Sequence, residues 1–445
     1  MVARNSKAVL DRATFTTSRL MDFCSRKELI AQTGHQPAEW PLVALKELID
    51  NSLDACEEAG ISPVITVAAG DDGITITDNG PGIPSSTIDG VMDFSVKVSS
   101  REAYVSPTRG AQGNALKTIL AMPFVLSGES GRVVISANGI QHSIIFSVDQ
   151  IRQQPVVEIE RDNSILDSGT SVFIEWLDLA CSDDGIERRF LQFADDYTWI
   201  NPHMTLSTDW FGKVTTVQAT APDWKKWLPT DPTSPHWYTA ERLERLIAGY
   251  VTHDDDPRTV RAFVSEFKGL SGSRKQKEVL DATGLARATL TDLVTDNTID
   301  NNIVSSLLQA MKVATKLVKA PALGVIGKAH FEQRFEAGGV EMETFGYDKG
   351  VEMVDGIPTL IEVGFGVDKQ GMSGDADVPR RLITGVNWSP GIVNPFRSLG
   401  GYGNSLNSAL AEARSGADEP IVMVLHMTCP RVEYTDRGKS AVVLS

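Results

Sequence analysis

Apolar residues between positions 40 and 59 recur with helical spacing. Leu42, Leu45, Leu48, Ile49, Leu53 and Ala55 share one face of WPLVALKELIDNSLDACEEA, and Gly60 follows as a stop signal. The pattern then changes to period two. VITVAAG and GITITDNG are β-branched runs that predict adjacent strands, and RVVISANG, HSIIFSV and TSVFIEWL predict more strands over 131–148 and 170–177. Helices followed by a mostly antiparallel set of strands predict a two-layer α/β sandwich over residues 1–225. Four prolines and three tryptophans crowd residues 222–241, a composition that predicts a connecting segment. Residues 235–335 are mostly helical, broken by Gly269, Gly272, Gly284 and Gly327. From 336 to 445 strand signals return in VEMVDG, PTLIEVGFG, RLITGVNWS and PIVMVLHMT, with a helix, SLNSALAEARSG, before the last. The expected architecture is therefore α/β of the α+β kind, in three units: 1–225, 235–335 and 336–445.

Charge narrows the chemistry. The 445 residues carry 42 Lys or Arg against 58 Asp or Glu, a formal net charge of −16. Such a chain does not coat nucleic acid by bulk charge, so a DNA contact needs a local patch, a partner or a symmetric assembly. One region qualifies. Residues 258–335 hold twelve Lys or Arg and seven acids, which allows a nucleic-acid surface or a solvated helical face. Cys24, Cys56, Cys181 and Cys429 are far apart. They suggest neither a disulfide framework nor a zinc site, and a reducing cytoplasm fits. No apolar run reaches about 18 residues, so no membrane span and no membrane partner is expected.

Three segments carry candidate chemistry. In KELIDNSLDA, Glu47, Asn51 and Asp54 stand at i, i+4 and i+7 and are expected on one side of a helix. An amide oxygen there can serve Mg²⁺, making Asn51 the candidate metal ligand, and a carboxylate can take a proton from an attacking water. In ITDNGPGIP a strand runs into Asp78 and then a turn with Gly80 and Gly82. A carboxylate at a strand end can accept from an adenine amino group, and the glycines let backbone approach a ligand. TRGAQGNALKTI is a Gly-rich loop opening a helix, where free N–H groups favour phosphate. Taken singly, each is equally a surface helix, a β-turn and a helix start.

In this order the motifs resemble the GHKL ATPases, the superfamily of DNA gyrase B subunits, a heat-shock chaperone, histidine kinases and MutL. KELIDNSLDA resembles the N-box, DNGPG the DxGxG box and RGAQGNAL the second glycine box, where Ala115 replaces a third glycine as in MutL. SGTSVFIEW, residues 168–176, resembles the fourth motif. The resemblance implies a Bergerat-type sandwich that binds ATP and Mg²⁺. It implies Glu47 as general base, Asn51 as Mg²⁺ ligand with Asp54 beside it, and Asp78, Gly80, Gly82 and Ile83 around the base of the nucleotide. Arg109, Gly110, Ala111, Gln112, Gly113, Asn114, Ala115 and Lys117 would lie at the phosphates, and Thr170 would support Asp78 or its bound water.

The rest of the chain is similar to topoisomerase VI B subunits. FTTSRLMDFCSRKELIAQTG (15–34) resembles their N-terminal segment, SSREAYVSPTRGAQG (99–113) their lid, and VSEFKGLSGSRKQKEVLDATGL with PALGVIGKAH (321–330) their helix–two-turn–helix domain. CPRVEYTDRGKSAV (429–442) resembles the loop of their transducer, a ribosomal-protein-like α/β domain, and its Lys439 would reach the γ-phosphate. The implied activity is an Mg-dependent ATPase that closes as a homodimer on ATP and gates duplex DNA for a DNA-cleaving A-type subunit. The chain is not expected to cut DNA alone. Its 445 residues end six after Lys439, where the resemblance would have a long helix follow. That leaves two alternatives: an ATP-switched module without topoisomerase activity, of the MORC or defence-associated kind, or a MutL-like repair clamp.

Overall fold

The computed structural model describes residues 23–92, 104–110, 115–149, 151–152, 154–176, 179, 185–254, 256–295, 298–370, 379–397, 399, 405–435 and 441–443. Helix α1 (Arg26–Thr33) is capped by Ser25, whose hydroxyl accepts the Glu28 N–H. Helix α2 (Trp40–Glu58) follows the predicted spacing, with Pro41 in its first turn, where no intrahelical donor is needed. Leu42, Leu45, Leu48, Ile49 and Leu53 are buried, each contributing about 1.5–3 kcal/mol of transfer free energy.

Strands β1 (Val64–Gly70), β2 (Gly73–Asp78), β3 (Gly131–Ala137), β4 (Ile140–Asp149), β5 (Gln154–Asn163), β6 (Thr170–Glu175), β7 (Thr205–Trp210) and β8 (Lys213–Val217) form one sheet. Its order is β5-β4-β3-β6-β2-β1-β7-β8. Neighbours run antiparallel except β1 and β7, which run parallel. Helices α1, α2, α3 (Ser85–Met92), α4 (Ala115–Ser127) and α5 (Ile186–Ile200) lie on one face. Between the layers Leu45, Leu53, Ile76, Ile135, Val172 and Phe193 form the core. Edge strand β5 is mostly exposed, and only Val157 and Ile159, alternating with Glu158 and Glu160, reach the main core.

A connector with Trp227 and Trp237 packed at 4.9 Å leads to helices α6 (Ala240–His253), α7 (Val260–Ser265), α8 (Ser273–Thr283) and α9 (Asn301–Ala314). A short hairpin, β9 (Val294–Thr295) and β10 (Thr298–Ile299), precedes α9. Leu243, Phe263, Leu280, Leu307 and Met311 are their common core. Helix α10 (Lys328–Ala337) turns elsewhere. Its Phe331 and Phe335 pack with Trp199, Ile383 and Val424, so the apolar contacts of the last unit begin before residue 336.

That last unit is a five-stranded sheet of β11 (Gly346–Val354), β12 (Ile357–Val367), β13 (Arg381–Val386), β14 (Ser389–Pro390) and β15 (Ile421–Thr428), in the order β11-β12-β15-β13-β14. Helix α11 (Leu406–Glu412) packs Leu406 and Leu410 against Val386 and Met427. Half-buried charges tie α5 to the last unit: Arg381 on β13 bonds Asp195 and Asp196, and Arg334 on α10 bonds Asp195, each at 2.8 Å.

Candidate functional site

Period-two alternation along β2 points Ile74, Ile76 and Asp78 to the helix-covered face. A carboxylate thus ends a row of apolar side chains. Burial pushes the Asp78 pKa above the usual carboxylate range, against hydrogen bonds that favour the anion. The Gly80 N–H donates to Oδ1 at 2.9 Å, the Ser52 hydroxyl to Oδ2 at 2.9 Å, and the Thr170 N–H to Oδ1 at 3.2 Å. A carboxylate has about four acceptor sites, so among the described residues one remains after these three donors.

The turn beyond Asp78 depends on glycine at two places. Gly169, at φ 83°, would put a Cβ 2.1 Å from the Asp78 carbonyl oxygen, and its N–H donates to the Gly80 carbonyl at 2.8 Å. Gly82, at φ 82°, would put a Cβ 2.6 Å from the Asn138 side chain. The Ile83 side chain packs against the main core.

Helix α2 offers different stripes to different neighbours. Ser52 faces Asp78. Half-buried Glu47 and exposed Asn51 stand one turn apart on an open stripe. Asp54 leaves that stripe: it joins Asp50 and Glu57 at i, i+4 and i+7, all buried. There the Arg109 guanidinium, fully buried, uses all five of its N–H groups. Nη1 donates to Asp54 and Glu57 at 2.7 Å each, Nη2 to Glu57 and Asn201 at 2.6 Å each, and Nε to the Trp388 carbonyl at 3.3 Å. Arg109 therefore points inward to α2 in this arrangement.

Glu57 also meets the Lys226 ammonium at 2.8 Å and His203 Nε2 at 2.9 Å. Burial would raise its pKa, but Arg109 and Lys226 hold it well below the carboxylate range. Burial lowers the pKa of Lys226, and Arg109 adds to this because two cations share one glutamate. Burial also lowers that of His203. Sequence inspection missed Ser52, Glu57, His203 and Lys226. The helical spacing of Asp50, Asp54 and Glu57 was a usable signal for an acidic stripe; nothing local announced its cations.

Asp50 is the third member of that stripe. It accepts from Lys46 Nζ at 2.8 Å, Tyr197 at 2.9 Å and Ser389 at 2.7 Å. Lys117 lies in the first turn of α4 with its side chain buried. Gly110 ends a described segment, and Ala115 begins α4. Ala111, Gln112, Gly113, Asn114 and Lys439 lie outside the described residues. Among the described residues no three His, Cys, Asp or Glu side chains form a group that could hold a metal ion. A lone Asn51 amide is consistent with Mg²⁺, which commonly takes one or two protein oxygens and completes its shell with phosphates and water.

Residues 40–166 match the family described as histidine kinase-, DNA gyrase B- and HSP90-like ATPase. The chain is 24% identical over 437 residues to the B subunit of type 2 DNA topoisomerase 6 from Archaeoglobus fulgidus, a match covering 91% of this chain and 67% of that protein. It is 25% identical over 287 residues to the protein of the same name from Pyrococcus furiosus, covering 60% of this chain and 46% of that one. Among solved structures, the ATPase region of Saccharomyces cerevisiae topoisomerase II matches 90% of this chain and 77% of its own, with 11% identity and a TM-score of 0.41. No helix among the described residues is long and apolar enough to cross a membrane.

Proposed function

We propose that this chain, whose residues 40–166 are an ATPase domain of the histidine kinase, gyrase B and HSP90 kind, is the ATP-hydrolysing subunit of a type IIB DNA topoisomerase. It works as a nucleotide-gated dimer clamp on duplex DNA, with a DNA-cleaving A-type partner. The observation that carries this reading is Asp78. It is 7% exposed, fixed by donors from α2, the turn and β6, and keeps one acceptor site. Such a group suits the exocyclic amino group of adenine.

Glu47 and Asn51, on the open stripe of the same helix, then face the triphosphate. The Asn51 amide oxygen would hold Mg²⁺, which when bound neutralises phosphate charge. Glu47 would take the proton of the attacking water as its oxygen bonds to the γ-phosphorus and the bond to the bridging oxygen breaks, leaving ADP and phosphate. Gly110, Ala111, Gln112, Gly113, Asn114 and Ala115 would supply backbone N–H groups at the start of α4. Lys117 would support them and Lys439 would reach the γ-phosphate. The Arg109 side chain serves the same loop differently, anchoring its root to α2. For the DNA contact we assign Arg274, Lys275, Lys277, Arg287, Lys316 and Lys319, all exposed on the helical unit.

The experiment is turnover against binding for Glu47→Ala. Loss of a general base costs about 10²–10⁴-fold in rate. The variant should bind a non-hydrolysable ATP analogue like the wild type and lose turnover by that factor. Unchanged turnover would remove Glu47 from the mechanism.

A further inference from the structure

Strands β13 and β14 are joined by a two-residue turn, Asn387–Trp388. Both residues have positive φ, 50° and 63°, the geometry of a type I′ hairpin, in which glycine is favoured. A tryptophan there is strained, and such strain persists only where the surroundings over-determine it. The surroundings here are the parts of the proposed ATP site.

Three consecutive residues reach three elements. The Asn387 Nδ2 donates to the Thr108 carbonyl at 3.3 Å, at the root of the glycine-rich loop, and its Oδ1 accepts the Cys429 N–H at 2.9 Å, where the segment leading to Lys439 begins. The Trp388 carbonyl accepts from Arg109 at 3.3 Å and from Asn201 at 3.0 Å, and its N–H donates to His426 Nε2 at 3.0 Å. The Ser389 hydroxyl donates to Asp50 at 2.7 Å, on the helix of Glu47 and Asn51. Asn387, Trp388 and Ser389 are 3%, 0% and 6% exposed.

We infer that the Asn387–Ser389 turn is a positioning element that holds the root of the glycine-rich loop at Thr108 and Arg109, helix α2 at Asp50, and the start of the 429–442 segment at Cys429 in mutual register for hydrolysis. Its residues lie outside the motifs proposed to contact nucleotide and metal, and act through Thr108, Asp50 and Cys429. The inference rests on the proposed ATP site and adds a residue set that the motifs do not contain. It predicts a particular kinetic signature, because adenine recognition at Asp78 does not pass through the turn whereas the alignment of the γ-phosphate groups does.

The test is Asn387→Gly, compatible with the positive φ, alongside Ser389→Ala, in the full chain. Each variant should keep its affinity for a non-hydrolysable ATP analogue within threefold while kcat falls about tenfold, and KM should follow the affinity rather than kcat. Asn387→Asp, which keeps the acceptor for Cys429 and loses the donor to Thr108, should recover part of the loss. A thermal unfolding midpoint measured on each variant separates this from general destabilisation. If kcat stays within twofold of wild type in both variants, or falls only in step with analogue binding, the turn has no positioning role. A wild-type chain that hydrolyses no ATP would instead overturn the proposed site itself.

Discussion

Replacing Arg109 by methionine removes a cation whose five N–H groups are all bonded and leaves Asp54 and Glu57 buried beside it. Breaking a buried ion pair from one side costs about 3–5 kcal/mol, because the remaining charge is uncompensated. The unfolding entropy is about 2.1 cal/mol/K per residue. If the first about 200 residues unfold as a unit, the midpoint should fall by about 7–12 °C; if the whole chain unfolds together, by about 3–5 °C. A pH signature identifies the cause. In the wild type Glu57 is held well below the carboxylate range, so its contribution is complete above the unfolded pKa and is lost only as pH falls through the folded one. In the variant only Lys226 remains as a full counter-charge for Glu57, and Asp54 shares it; burial, the largest influence on Glu57, then raises its folded pKa above the unfolded value, so protonation on acidification relieves the native state. The deficit should therefore be largest at pH 7 and shrink toward pH 5. Scanning calorimetry of both proteins at the two pH values is the assay. A midpoint loss under about 2 °C, or one equal at both pH values, would refute the reasoning.

Two further outcomes are expected. His426 is fully buried, its pKa lowered to about 3 by burial and by Arg109, so below about pH 6.5 the unfolded chain takes a proton that the native chain refuses. Relative to wild type, His426→Gln should therefore gain about 1.4 kcal/mol per pH unit on going below pH 6.5; urea midpoints that differ equally at pH 7 and 5.5 would contradict this. Lys275→Glu with Lys277→Glu should weaken duplex DNA binding and flatten the slope of log K against log salt by about 0.9 for each phosphate no longer neutralised, and an unchanged slope would place the DNA elsewhere.

What was legible in the sequence followed local periodicity. The alternation that buries Ile74 and Ile76 also carries Asp78 inward, and the helical spacing from Leu42 to Leu53 defined α2. Asp54 marks the limit. Its place three residues after Asn51 suggested a shared face, yet only tertiary structure brings Arg109 to it, from 55 positions away. Trp388 is 279 positions from Arg109 and 187 from Asn201, so the contacts of the Asn387–Ser389 turn had no local signature. Helix α10 was visible as a helix, but its packing onto the second sheet depends on Phe331 and Phe335 meeting Ile383 and Val424, which periodicity does not encode.

The central claim is that Asp78 receives an adenine nucleotide. Titration calorimetry of the full chain with Mg²⁺ and a non-hydrolysable ATP analogue, then its guanine counterpart, tests this directly. Guanine presents a carbonyl where adenine has its amino group, so the account predicts saturable one-site binding of the adenine analogue and binding of the guanine analogue at least about tenfold weaker, with a good hydrogen-bond mismatch worth about 1–3 kcal/mol. Asp78→Asn should weaken the adenine analogue by a comparable factor. Absence of heat with either nucleotide, or binding that ignores Asp78, would contradict it.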